Sequence, residues 1–208
     1  MSIHALLLAA GESSRMGEPK ALLPWQGSTL IEFQIHQLLA GGIERVAVVL
    51  GHDAGAILHA VRPPPQTTIV VNERHATGKT SSVKAGMEAI PPHVEAILLL
   101  AVDQPRPASL IRRLIQTHRA ADALITVPAF QGRHGHPAIF ARPLFPEIRA
   151  IDEESHGLRA IRRRHTRDTH VCDTTSPVCL IDINTPEDYR AALALFASQS
   201  PEDHGKVG

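Results

Sequence analysis

A chain of 208 residues, 43% of them apolar, can bury one substantial core and is cramped for two, so residues 1–197 read as a single domain with a tail over 198–208. Its 21 basic side chains balance 21 acidic ones, which argues against nucleic acid, a partner that calls for a basic excess or stripe. The start, Met1-Ser2-Ile3-His4 before a short apolar run, lacks the basic flank of a signal peptide, and no stretch reaches about 18 apolar residues. No membrane role and a cytoplasmic location are the expectation.

Apolar runs of strand length alternate with helical patterns along the chain. A first strand over residues 3–10 is followed by a helix over 29–39, with Leu30, Phe33, Leu38 and Leu39 roughly on one face. The second strand spans 45–50. Arg62-Pro63-Pro64-Pro65 is a stiff connector between an early helix and the third strand, 68–71. A helix over 81–90, a strand over 95–102, a helix over 107–118 that opens on a proline, and a strand over 123–127 continue the rhythm. Beyond residue 128 it loosens: strands are expected over 137–140 and 178–183, a basic helix over 158–164 and a terminal helix over 186–197, with a frayed tail after it. The alternation implies a Rossmann-like three-layer α/β/α fold, its mostly parallel sheet covered on both faces and joined by right-handed crossovers. Cys172 and Cys179 fit neither a redox pair nor a zinc pair and read as two free thiols.

The first strand ends in Leu8-Ala9-Ala10 and runs into Gly11-Glu12-Ser13-Ser14-Arg15-Met16-Gly17-Glu18-Pro19-Lys20. Open α/β sheets bind ligands at the carboxyl ends of their strands, so the loop lies where a ligand is expected. Two glycines permit close backbone approach, two serines add donors, and Arg15 and Lys20 bring two cations: a composition suited to phosphate. The spacing matches neither the dinucleotide fingerprint nor a P-loop.

These residues carry a resemblance. Leu8-Ala9-Ala10-Gly11, Ser14-Arg15-Met16-Gly17 and Pro19-Lys20 resemble the signature loop of the nucleotidyltransferases that act on molybdopterin, within the wider sugar-nucleotide and isoprenoid-cytidylyl transferase superfamily. The resemblance spans nearly the whole chain, from Leu7 to about Tyr189. It implies a nucleotide-diphospho-sugar transferase type of fold and a triphosphate wrapped around this loop. Arg15 and Lys20 would then neutralise the phosphates as pyrophosphate leaves, and Ala9, Ala10 and Gly11 would approach the base.

Seven aliphatic residues deliver Asp103, followed by Gln104-Pro105. A carboxylate at the tip of a buried strand is suited to a hard cation between phosphate oxygens, and equally to capping the next helix. The related enzymes carry Asp-Gln-Pro or Asp-Met-Pro here and bind magnesium through that Asp; Val102 stands where they often have glycine. A second ligand can come from Asp182-Ile183-Asn184-Thr185-Pro186-Glu187-Asp188, where strand alternation places Asp182 and Asn184 on one face, and the rest reads as a helix start. The family ending is Asp-x-Asp-Thr-Pro-Glu-Asp, so either Asp182 or Asn184 touches metal.

Asn72 opens a segment that leads to Gly78, Thr80, Ser81 and Ser82 ahead of a helix, a setting for a base or ribose pocket. The family's Gly-x-x-Ser-Ser stretch contacts nucleotide, which implicates Gly78, Ser81 and Ser82. Gly132-Arg133-His134-Gly135-His136-Pro137 lacks a full metal-ligand set and reads as a glycine-flexed loop presenting Arg133, His134 and His136 to an anionic acceptor. A Gly-His-Pro on the acceptor side is typical of the molybdopterin enzymes. Arg159, Arg162, Arg163 and Arg164 fit a solvated helix face better than an extension of that wall.

Taken together, the resemblance implies a magnesium-dependent transfer of CMP from CTP to molybdopterin with release of pyrophosphate and, downstream, a molybdoenzyme client. Ala-Ala-Gly with Pro-Lys is the cytidylyl pattern; GTP or another phosphorylated acceptor is the runner-up. A non-catalytic sensor or cofactor-delivery protein fits poorly with an intact Arg15, Lys20 and Asp103. A nicotinamide oxidoreductase lacks its fingerprint, and Leu50-Gly51-His52 puts no acid at the end of the second strand.

Overall fold

The computed structural model describes residues 1–12, 16–154 and 157–198. The elements in chain order are β1 (Ile3–Ala9), β2 (Pro24–Trp25), β3 (Ser28–Thr29), α1 (Leu30–Ala40), β4 (Arg45–Leu50), α2 (Ala54–Ala60), β5 (Thr67–Val71), α3 (Lys79–Glu88), β6 (Ala96–Ala101), α4 (Ala108–Ala121), β7 (Ile125–Phe130), β8 (Arg133–His134), β9 (Ala138–Ala141), α5 (Phe145–Ala150), α6 (Leu158–Arg164), β10 (Thr169–Asp173) and α7 (Pro186–Ala197). The main sheet runs β10-β7-β9-β6-β1-β4-β5, with β8 attached to β7, while β2 and β3 form a separate hairpin.

Strands β1 and β6 are buried along their whole length, which is why they read as unbroken aliphatic runs rather than alternating ones. Their side chains still divide by parity. Ile3, Ala5, Leu7 and Ala9 join one core with Leu30 and Ile35 of α1, Ile111 of α4 and Phe196 of α7, whereas Leu6, Leu8 and Ala10 join the other with Val83 of α3, Ile148 of α5 and Ile161 of α6. The fold is therefore the expected three layers. The chain proceeds from β1 outward through β4 to β5, then returns to place β6 on the other flank of β1. That reversal is a topological switch point, where a crevice opens at the carboxyl ends of the strands.

The second half departs from the simple rhythm. β9 runs antiparallel between β6 and β7, and β10 pairs parallel on the outer side of β7. The strand expected over 178–183 is instead a 3-10 turn, Pro177–Leu180, followed by an extended segment outside the sheet. Pro177 has a fixed φ and no N–H to give to a ladder, and the hydroxyl of Ser176 takes the N–H of Val178 at 3.4 Å. The edge place on β7 belongs to β10, whose residues mix exposed His170 and Val171 with buried Cys172 and give little apolar signal. Both cysteines are buried free thiols, as expected. Beyond Ser198 the tail lies outside the described residues, among which no helix is long and apolar enough to cross a membrane.

Candidate functional site

A cleft of about 520 Å³ lies over the carboxyl ends of β1, β4 and β6. At one end stands Lys20, in a 3-10 turn, Lys20–Leu22, anchored by buried Ala21. Its ammonium donates to Asp103 Oδ2 at 3.2 Å and to Asn184 Oδ1 at 3.1 Å. Asp103 sits on the turn directly after β6, where Val102 N donates to Leu8 O at 2.9 Å and Gln104 N to Ala101 O at 3.0 Å. The backbone then brings in the third member, because Ile183 N donates to Asp103 O at 2.8 Å and so sets Asn184 beside the same point.

Asp182 points elsewhere. Its Oδ1 accepts from Gln104 Nε2 at 2.6 Å, and it is not among the residues lining the cleft, whereas Asn184 is. Outside a strand, the alternation that would have placed both on one face does not apply; buried Ile183 separates two side chains with different partners.

Beneath Asp103 lies a buried polar network that the sequence reading did not identify. Gln34 of α1, with no exposed surface, donates from Nε2 to Gln104 O at 2.7 Å and accepts at Oε1 from Arg106 N at 3.2 Å. Gln37, one turn on, accepts from Ala108 N at 2.7 Å, serving an otherwise orphan donor in the first turn of α4. The Arg106 guanidinium is fully buried, and burial lowers its pKa to about 10 against the pull of Asp182, Cys179 and Asp103. Two glutamines three residues apart on the apolar face of a predicted helix were the available signal, since polar groups survive in a core only when hydrogen-bonded.

The facing wall is built by the segment before α3. Buried Asn72 donates to the hydroxyls of Ser81 at 2.9 Å and Ser82 at 3.1 Å and accepts from Arg74 N at 3.0 Å. Ser81 also has Arg74 O at 3.0 Å and Gly78 O at 2.8 Å as acceptors for its hydroxyl. Its side chain thus braces the loop and is not part of the cleft lining, whereas Gly78 and Ser82 are. Gly78 has φ +115°, and a Cβ there would lie 2.3 Å from Glu153 Oε1; that carboxylate accepts from Thr80 N at 2.7 Å at the start of α3.

Ala9, Ala10 and Gly11 line the cleft, while Ser13, Ser14 and Arg15 lie outside the described residues. Asp53 and Ile57 line it as well. An acid therefore does stand just past β4, two residues beyond Gly51, where the sequence reading put none.

None of the three acceptor candidates lines the cleft, and Arg133 and His134 are exposed on β8. His136 is held at both ends of its backbone: its N–H donates to Cys179 O at 2.9 Å and its carbonyl accepts from Arg106 Nε at 2.8 Å. Burial, followed by the nearby charges of Arg106, Arg162 and Lys79, lowers its pKa to about 4, so the imidazole is neutral at neutral pH. Gly135 makes this packing possible, since a Cβ there would lie 2.2 Å from Cys179 O. On α6, Arg159, Arg163 and Arg164 are exposed, as expected, and Arg162 is half-buried.

The family model described as the MobA-like NTP transferase domain matches residues 5–169. A nicotine blue oxidoreductase from Paenarthrobacter nicotinovorans is 33% identical over 194 residues, covering 89% of this chain and 93% of the relative. A molybdenum cofactor cytidylyltransferase from Escherichia coli K12 is 27% identical, with 92% and 95% covered, and a molybdenum cofactor guanylyltransferase from Rhodobacter capsulatus is 29% identical, with 97% and 100% covered. Among solved structures, a protein from Mycobacterium tuberculosis H37Rv in complex with manganese superposes with a TM-score of 0.74 at 26% identity, over 93% of this chain and 99% of the other.

Proposed function

The chain belongs to the MobA-like NTP transferase domain family, a family of nucleotidyltransferase enzymes, and from that premise we propose that it transfers CMP from CTP to the phosphate of a molybdopterin-type acceptor, releasing pyrophosphate. The observation that carries this reading is the convergence of Lys20, Asp103 and Asn184 in a cleft that Gly11 and Gly78 also line. Backbone approach at the glycines suits a triphosphate, and a cation beside two oxygen donors suits the site of charge transfer.

In the reaction, an acceptor phosphate oxygen attacks the α-phosphorus in line; the bond to the bridging oxygen breaks, and the electron pair leaves with pyrophosphate. The Lys20 ammonium, less exposed than Asp103, offsets charge on the departing group. Asp103 and Asn184, whose side-chain oxygens both accept from Lys20, are hard donors that would hold magnesium. When bound, that ion would supply Lewis-acid stabilisation of the phosphates.

The choice of CTP rests on Ala10, buried at 6% exposure with its residue in the cleft lining. Its methyl narrows the place where the first loop meets the base and accommodates a pyrimidine more readily than a purine. CTP should outperform GTP by at least about tenfold in kcat/KM, roughly 1.4 kcal/mol, and Ala10→Gly should relax the ratio. Pyrophosphate release measured with each nucleotide and a molybdopterin acceptor is the test. Equal or better use of GTP removes the cytidylyl assignment; no release with either removes the transferase reading.

A redox reading has two supports: the relative named as an oxidoreductase and the place of Asp53 past β4 in the cleft, where dinucleotide folds keep a ribose-binding acid. Consumption of NADH or NADPH with nicotine blue, in the absence of pyrophosphate release, would establish it instead.

A further inference from the structure

Three segments far apart in the chain end on one guanidinium. Arg106 donates from Nη1 to Pro105 O at 2.8 Å, from Nε to His136 O at 2.8 Å, and from Nη2 to Cys179 O at 3.0 Å and Ile181 O at 2.9 Å. All four acceptors are main-chain carbonyls, and among the described residues no carboxylate pairs with it directly. Leaving a charge in the interior without an ion pair is costly; here the geometry distributes it over backbone from the Asp103 turn, from the loop that carries His136 and from the arm that carries Asn184. Packing adds to the same junction, because His136 N donates to Cys179 O at 2.9 Å and Gly135 lies against that carbonyl.

We propose that Arg106 is the positioning residue that registers the His136 loop and the Asn184 arm against the Asp103 turn, ordering the end of the cleft where Lys20, Asp103 and Asn184 meet without touching either substrate. The proposal rests on the transferase reading for its kinetic consequence and on the hydrogen bonds alone for its structural one. Planarity matters: a guanidinium reaches carbonyls in several directions at fixed angles, which an ammonium on a flexible stem does not reproduce. The nucleotide wall, built around Asn72, has no bond to Arg106.

The test uses the full chain and two variants. Arg106→Lys keeps the charge and part of the bonding; Gly135→Ala leaves the guanidinium intact and forces the two segments apart. Hydrogen exchange followed by mass spectrometry should show both variants exchanging at least about tenfold faster over residues 134–137 and 179–184, with β1 and β4 unchanged. In turnover, kcat should fall at least about tenfold while the triphosphate KM, set by the Asn72 segment, moves less than about twofold. Native exchange in both segments, or an equal rise in β1 and β4, overturns the proposal, as does a native kcat in both variants. If the native chain transfers no nucleotide, the transferase reading fails while the exchange experiment still decides the role of Arg106.

Discussion

The two walls of the cleft are built in different ways. The nucleotide wall comes from short, contiguous stretches: the loop after β1 and the Asn72-to-Ser82 segment, where Asn72 and its serine partners lie within ten positions of each other and Glu153 on Thr80 N is the distant contact. Opposite it, Asp103 and Asn184 are held, together with the His136 loop, by Gln34, Gln104 and Arg106 across separations of 30 to 78 residues. Local turn chemistry builds most of the first wall, whereas the second depends on a buried polar network whose members are costly to leave unpaired. Damage to chemistry and damage to assembly should therefore separate by wall.

The largest effect is expected at Asp103. Its side chain is 27% exposed, so Asp103→Ala should fold and melt near the native temperature while losing at least about a thousandfold in kcat. Normal pyrophosphate release from a folded variant would show that the carboxylate serves only the turn. Lys20→Met comes next, with a loss of about a hundredfold in kcat/KM for the triphosphate and no change in acceptor affinity; poorer acceptor binding with unchanged triphosphate handling would place Lys20 on the wrong side of the comparison.

Stability should respond at the second wall more than at the first. Gln34→Leu strands Gln104 O and Arg106 N and should cost about 3 kcal/mol, whereas Ser81→Ala should cost about 1 kcal/mol. Equal losses in chemical denaturation would erase the distinction. The smallest effect concerns acid. His118, on α4 beneath the second half of the sheet, is 1% exposed with Nδ1 2.8 Å from Thr126 Oγ1, and burial lowers its pKa from 6.5 to about 4, against a weaker pull from Asp122. An unfolded chain takes up this proton near its ordinary pKa while the folded chain resists it. The neutral histidine thus contributes stability above about pH 6.5 that is lost as pH falls toward 4, about 2 kcal/mol of it by about pH 5. Unfolding curves for His118→Gln should show a correspondingly shallower loss, and an identical slope would assign the acid sensitivity to other groups.

Much of this architecture could be read in advance. The aliphatic runs of β1, β4 and β6, the Thr29–Glu32 capping box that starts α1 and the Thr185–Asp188 box that starts α7 are local signals, set by burial on both faces or by a cap within one turn. The glycine loop and Asp103 were legible for the same reason, since each follows directly on a strong strand, and Lys20 for its charge at the close of that loop. Beyond that, short-range pattern misled. A strand was expected at 178–183 because Val178, Leu180, Ile181 and Ile183 are apolar, but they pack beside the sheet and not within it. Alternation then failed for Asp182 and Asn184, and only the fold showed that one braces Gln104 while the other faces Lys20. Likewise, nothing near Arg106 in sequence marks the three backbone segments that it joins. The sequence by itself determined the layers, the crevice and its phosphate-suited loop, because these follow from hydrophobic periodicity and turn chemistry over a few residues. Which polar groups meet beneath Asp103 was decided by tertiary structure, since hydrogen bonds between residues up to 78 positions apart depend on strand order and on an antiparallel β9, neither of which any local pattern encodes.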